Sequence, residues 1–345
     1  MTSNIQHQTS NIQHLFAPER NTPKSLLSFE WIALGYLLFT LMLMGLCWDT
    51  LPNGISMLWG RAIFLAATLA MWGAYRLLPC RFLLFARIAV QMGFLSWWYP
   101  DTYELNRVLP NLDHLFATAE QTLFGCQPSW EFSRLVPWGW FSELMCLGYV
   151  SYFPLMLIVY VYYFFRRYDE FLLSAFVILG SFFAYYVVFV LLPVTGPQFY
   201  YLAAGTDNIA QGIFPNLGDW FLTHSERMAA PGWTDGFFYH LLDLTHDAGE
   251  RPTAAFPSSH VGITTVVMLL ALRTRSRSLV LTILPFYLLM CLSTVYIYAH
   301  YAIDALAGFL SGILLYYTLL RSYRRCQKKS PKAALDSNNR LSRVN

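Results

Sequence analysis

Eight apolar stretches, each close to the length of a bilayer crossing, limit what this chain can fold into. They run near 29–48, 55–75, 82–99, 143–165, 171–192, 257–272, 278–297 and 299–320. A helix needs about 20 residues to cross a hydrocarbon core, and lipid offers the backbone no partners outside a helix or a closed barrel. The predicted fold is all-α, a polytopic transmembrane helix bundle of about eight spans. The sixth run is cut off at Arg273, which predicts a helix that is short, tilted or begins below the membrane surface. Charged residues make up 12% of the 345, half the roughly 25% of a soluble domain. That excludes an ordinary cytosolic protein and a disordered one, and the net charge of +3 argues against a nucleic-acid partner.

Four regions follow from this pattern. Residues 1–28 are polar, lack a signal-peptide core and read as a disordered cytoplasmic tail. Within them SNIQH occurs at 3–7 and again at 10–14, and His7 and His14 read as part of a polar duplication rather than metal ligands. Residues 29–142 form an N-terminal transmembrane and interfacial region, 143–320 the membrane core, and 321–345 a basic cytoplasmic tail. Six basic residues from Arg321 to Lys332 suit anionic headgroups just inside the last span. The six cysteines are scattered singly, with neither zinc-site spacing nor a disulfide framework.

Alternate loops sort the charges. With the N-terminus in the cytoplasm, 17 of the 23 Lys and Arg fall on that side, all four Lys among them, as the positive-inside rule requires. The opposite face holds Arg107, Arg134, Arg227 and Arg251 among a dozen carboxylates. Both termini are then cytoplasmic. Two outer segments, 100–142 and 193–256, are too long to be connections. Their Trp, Gly and Pro content predicts amphipathic pieces lying at the membrane interface.

The residues with chemical potential fall on that outer face: Gly196-Pro197-Gln198, Phe256-Pro257-Ser258-Ser259-His260, and Ser293 to Asp304 at the junction of the last two runs. Four residues separate His300 from Asp304, so on a helix they share a face. Asp304 is expected to hold one imidazole nitrogen, leaving the other as base or nucleophile. A structural His–Asp pair joining two helices is the plainer reading. Pro257-Ser258-Ser259-His260 reads as a capped helix start, where free backbone N–H groups suit an anion. His224, His240 and His246 match no pattern and read as ordinary loop histidines.

Together these residues resemble the type-2 phosphatidic-acid phosphatase superfamily of membrane phosphatases and phosphotransferases. Its second and third signature motifs match at Pro257, Ser258 and His260 and at Ser293, His300 and Asp304, and the resemblance covers roughly 143–320. The first motif, a lysine followed by Arg-Pro, is absent: Arg251-Pro252 has no lysine upstream, and Thr294 stands where an arginine is usual. The third stretch is similar to the inositol phosphorylceramide synthase branch, as are Gly196 to Tyr200 and Phe124-Gly125-Cys126-Gln127-Pro128-Ser129. A phosphodiester carries one negative charge fewer than a monoester, which fits a site with fewer cations.

The resemblance implies His300 as nucleophile, Asp304 as its orienting partner and His260 as general acid and then base, with no metal or cofactor. Ser258, Ser259, Gln198 and Arg251 are the candidate phosphate contacts, Arg251 being equally a solvated loop charge. The implied substrates are membrane lipids: phosphoinositol passes from phosphatidylinositol to a ceramide-like sphingolipid. A lipid phosphatase acting on phosphatidic acid or polyprenyl diphosphate is the alternative within the enzyme class. A proton-coupled transporter using His300 and Asp304 as a relay is the alternative outside it.

Overall fold

The computed structural model describes residues 15–19 and 25–328, so the SNIQH duplication and most of the basic tail lie outside the described residues. Among those described there are fourteen α-helices and no strand. Helices α1 (Ser28–Leu46), α2 (Gly54–Leu77) and α3 (Arg81–Asn106) form an N-terminal group. Two short helices follow, α4 (Asp113–Phe124) and α5 (Pro128–Leu135), then α6 (Gly139–Val150), α7 (Tyr152–Arg166) and α8 (Phe171–Leu191). The second long connection carries α9 (Pro197–Ala204), α10 (Thr206–Ala210) and α11 (Phe237–Gly249), before α12 (Ser259–Arg273), α13 (Arg277–Tyr296) and α14 (Ala302–Lys328).

Among the described residues six helices are long and apolar enough to cross a membrane, and the bent pair α6–α7 brings the number of candidate crossings to seven when counted as one span. The bend of 45° follows from Pro154, which has no N–H to offer the Val150 carbonyl; Ser151 turns its hydroxyl back onto Gly148 at the break. The predicted sixth span is α12, whose 15 residues reach about 22 Å. It is the short helix the sequence suggested. Two boundaries differ from expectation: α3 runs through Pro100 to Asn106, shortening the first outer segment, and α14 continues past residue 320 to Lys328. Exposed Leu38, Met42, Ile63, Leu281, Leu288, Leu310 and Leu314 give these helices a lipid-compatible outer surface, as a multi-pass membrane protein requires.

The fifth apolar run forms the axis of the bundle. In its crossing window 83% of residues are buried, against 28–33% in the other long helices, so α8 is surrounded by protein while they face outward. The N-terminal group is locked by charges taken out of water together. Arg87 on α3 makes paired hydrogen bonds to Glu30 on α1, and Arg61 on α2 holds Asp101 on α3 at 2.7 and 2.9 Å. Buried charges persist in such a setting only when paired.

Residues 15–19, assigned above to a disordered tail, pack on the body instead. Glu19 accepts from Tyr168 and faces Arg81, and Pro18 bridges to Cys80. The outer segments meet the interfacial expectation in part. Trp138 and Trp140 are exposed and stacked on each other, whereas Trp130 is buried beneath Arg134 against Tyr201.

Candidate active site

Three glycines bring α12, which carries His260, against α14, the helix that follows the His300 turn. A Cβ on Gly312 of α14 would lie 2.5 Å from the Gly262 carbonyl oxygen of α12, and one on Gly308 would strike the Ser258 carbonyl. Such backbone contact is the small-residue packing of membrane helices. Ser258 caps α12 as expected, its hydroxyl accepting from the Val261 N–H at 3.3 Å, while its own N–H donates to the Asp304 carbonyl at 3.0 Å. Ser259 opens the helix and is buried. His300 lies in the turn between α13 and α14, its N–H donating to the Thr294 carbonyl at 2.9 Å. Ala254 and Tyr298, each close to one histidine strand of chain, hold left-handed backbone at φ of 66° and 67°, conformations that persist only where surrounding structure imposes them.

The two imidazoles face each other. Nδ1 of His260 is 3.2 Å from Nε2 of His300, and Nδ1 of His300 is 2.8 Å from the Ala255 carbonyl oxygen. A carbonyl only accepts, so Nδ1 of His300 carries its proton and Nε2 is left with a lone pair. His260 then donates through Nδ1 to that lone pair. Burial pushes the His300 imidazole down to about 4, only partly offset by the Ala255 carbonyl and by Glu250; it is neutral at physiological pH. The His260 ring packs against Tyr149 and Tyr152, at 4.7 and 4.5 Å between centroids.

Asp304 does not take the part expected of it. Helix α14 starts at Ala302, so His300 precedes the helix and the four-residue spacing no longer sets a shared face. The Asp304 carboxylate lies 3.7 Å from Nδ1, beyond hydrogen-bond reach, and with a neutral ring this is no ion pair. It accepts instead from the Tyr301 N–H at 2.9 Å, fixing the turn that carries His300. Ser293 and Thr294 likewise turn their hydroxyls onto carbonyls of their own helix, those of Met290 and Cys291.

Two carboxylates that sequence reasoning missed support this turn from α4. Asp113, fully buried, accepts from the backbone N–H groups of Thr195 and Gly196 at 2.7 and 2.8 Å. It also accepts from the Thr195 hydroxyl, the Asn111 amide and the Tyr301 hydroxyl. One side chain thus ties the Gly196-Pro197-Gln198 turn to the residue after His300. Gly196 is required there: its φ is 90°, and a Cβ would sit 2.7 Å from the Ala299 carbonyl oxygen. Glu120 caps α14 by accepting from the Ala302 N–H. Burial and then the nearby Asp304 push its carboxyl up to about 8, against the pull of the Ala302 and Ile303 N–H groups.

The candidate phosphate contacts separate. Gln198 is buried; its side-chain amide donates to Glu250 at 3.1 Å, and its main chain bonds Tyr298 and Met228. Arg251 is exposed and folds onto the Glu250 carbonyl, so the solvated-charge reading holds for it. The neighbouring residue takes the inner position: Glu250 accepts from Gln198 and Tyr99 and acts electrostatically on His300. The cation on this side is Arg227, held by Asp243 and Asp247 at 3.0 and 2.8 Å and acting on Glu250. His246 is no ordinary loop histidine. It is buried on α11 against Tyr149, and burial pushes it down to about 4. The Gln127–Ser129 stretch bonds Tyr201 of α9, supporting the turn from behind.

Two imidazoles meeting at one end of an apolar helix bundle, that of His300 buried and neutral, define a membrane protein equipped for nucleophilic or acid–base chemistry. The description "PAP2 superfamily" matches residues 113–318, beginning at Asp113 and so taking in the α4 carboxylates as well as both histidines. That is 30 residues upstream of where the sequence motifs alone placed the start. The chain belongs to this superfamily, whose members are phosphatases or phosphotransferases, and the transporter alternative falls away. No curated protein and no solved structure matches the chain.

Proposed function

We propose that the protein is a lipid phosphotransferase that moves a phosphate-containing headgroup through a phosphohistidine on His300. The observation that carries this reading is the lone pair of His300 Nε2, fixed by the Ala255 carbonyl behind it and met by His260 in front. In the first step Nε2 attacks phosphorus and the bond to the diacylglycerol oxygen breaks. His260, protonated on both nitrogens once the phosphate anion sits against it, gives that oxygen a proton and is left neutral. In the second, an acceptor hydroxyl loses its proton to His260 and attacks phosphorus, and the N–P bond breaks. Dividing the transfer in two lowers each barrier, and no step calls on a metal. The 3.2 Å contact between the rings is the resting state, and the phosphoryl group takes its place when substrate binds. Asp304, Glu120 and Asp113 position the His300 turn without touching the reacting atoms.

The headgroup we assign is phosphoinositol, passing from phosphatidylinositol to a ceramide-like acceptor at the non-cytoplasmic face. The scarcity of cations supports a phosphodiester donor over a monoester. Among the described residues Arg227 is the guanidinium that acts on Glu250, and two carboxylates already hold it. Purified protein in mixed micelles, offered phosphatidylinositol with ceramide or phosphatidic acid alone, tests the reading. A phosphorylated sphingolipid without free phosphate, absent from His300→Ala, is expected. Free phosphate as the sole product would make the protein a phosphatase, and equal turnover by wild type and variant would remove His300 from the chemistry.

A further inference from the structure

We propose that Glu250 is the specificity-determining residue of this site, a carboxylate that turns away phosphomonoester dianions and admits phosphates carrying a single negative charge. The inference rests on the phosphotransfer reading above and adds the residue that selects the substrate class. Glu250 is the last residue before the segment that leads to His260, and its side chain turns inward where that of Arg251 turns out. The Gln198 amide and the Tyr99 hydroxyl hold its Oε1 at 3.1 and 3.3 Å. Gln198 is in turn fixed through its main chain to Tyr298, two residues before His300.

The groups facing Glu250 come from five elements: Tyr99 of α3, Tyr149 of α6, Gln198 of α9, Arg227 of the connecting segment and His300. Only Arg227 among them is cationic, and Asp243 and Asp247 more than cancel its charge. With His300 neutral, a phosphate at Nε2 meets an environment of net negative charge. A lipid monoester carries a charge of about −1.5 to −2 near pH 7, whereas a diester carries −1 at any working pH. The repulsion from Glu250 therefore weighs almost twice as heavily on the monoester. Burial raises the carboxyl of Glu250, so acid removes this discrimination by protonating it.

The test is the ratio of kcat/KM for phosphatidic acid to that for phosphatidylinositol, measured on the full chain in mixed micelles with ceramide present. At neutral pH, Glu250→Gln raises this ratio by about tenfold or more, while Glu250→Asp keeps it near the wild-type value. Acid also converts the monoester to its monoanion in both proteins, so the quantity read is the wild-type ratio divided by that of Glu250→Gln: it climbs toward one on acidification, whereas a purely structural role would leave it constant with pH. A ratio within about twofold of wild type overturns the proposal. If wild type already prefers phosphatidic acid, the transferase reading fails, and a further rise in Glu250→Gln leaves the role of Glu250 standing. Should turnover be too low to measure, the relative affinity for the two lipids is read by binding on the His300→Ala background. An unchanged relative affinity there also overturns the proposal.

Discussion

Replacing Glu120 by glutamine tests whether the support beneath His300 is held by a proton. The carboxyl titrates near 4.5 when exposed and near 8 in the folded protein, because it is buried beside Asp304. The folded chain therefore takes up a proton that the unfolded chain releases. At 1.36 kcal/mol for each tenfold change, the gap corresponds to about 5 kcal/mol. Its sign follows from a raised value: this contribution is complete below about pH 4.5 and is lost as pH rises through about 8. Between about pH 5.5 and 7.5 it falls by about 2.5 kcal/mol, enough to lower Tm by roughly 3 °C in a chain of this size. Glutamine keeps an oxygen for the Ala302 N–H and carries no proton to lose. Thermal unfolding in detergent across this range should show a falling Tm for wild type and a flatter curve for Glu120→Gln, with the variant gaining on wild type as pH rises. Parallel curves would refute the protonated carboxyl and the argument from burial.

Other outcomes follow from the same geometry. Asp113→Ala strands two buried N–H donors, at about 1–3 kcal/mol each, and should lower both Tm and turnover, the latter by about a hundredfold; unchanged turnover would detach the Gly-Pro-Gln turn from catalysis. Gly312→Val forces α12 and α14 apart and should abolish activity while circular dichroism still reports a helical protein. His300→Ala should remove turnover entirely, whereas Asp304→Asn, which can still accept from Tyr301, should leave about 1–10% of it; equal losses would restore a direct bond between Asp304 and the ring. The acid limb of kcat/KM should fall as pH drops through about 4, where His300 becomes protonated; a limb near 6.5 would mean an exposed imidazole.

Sequence carried the crossings and the histidines well, because both are local signals. Twenty apolar residues announce a span wherever it packs, and Pro257 to His260 announces a capped helix start. What it carried poorly was whatever depends on where a helix begins. Asp304 was assigned to His300 by helical spacing, and that spacing lost its meaning once α14 began at Ala302. Arg251 was chosen for nearness along the chain, yet a one-residue step reverses the direction of a side chain, and Glu250 is the one that points in. Asp113 and Glu120 left no local trace. Each is one carboxylate among a dozen in the outer segments, and apart from Asn111 its partners stand more than 80 residues away.

The glycine contact between α12 and α14 bears on how the protein meets bilayers of different thickness. Two helices that touch backbone to backbone cannot slide past each other without colliding, so the distance between the histidines is set by peptide geometry rather than by yielding side chains. Helices α1 to α3 are joined to one another by ion pairs and meet the central helix mainly through apolar side chains, with hydrogen bonds from Tyr186 to the Leu95 carbonyl and from Asn106 to the Phe189 carbonyl, a seam of side chains with more give than backbone contact. Thickness mismatch would then be absorbed at the periphery, and the histidine pair would ride through it as one rigid body.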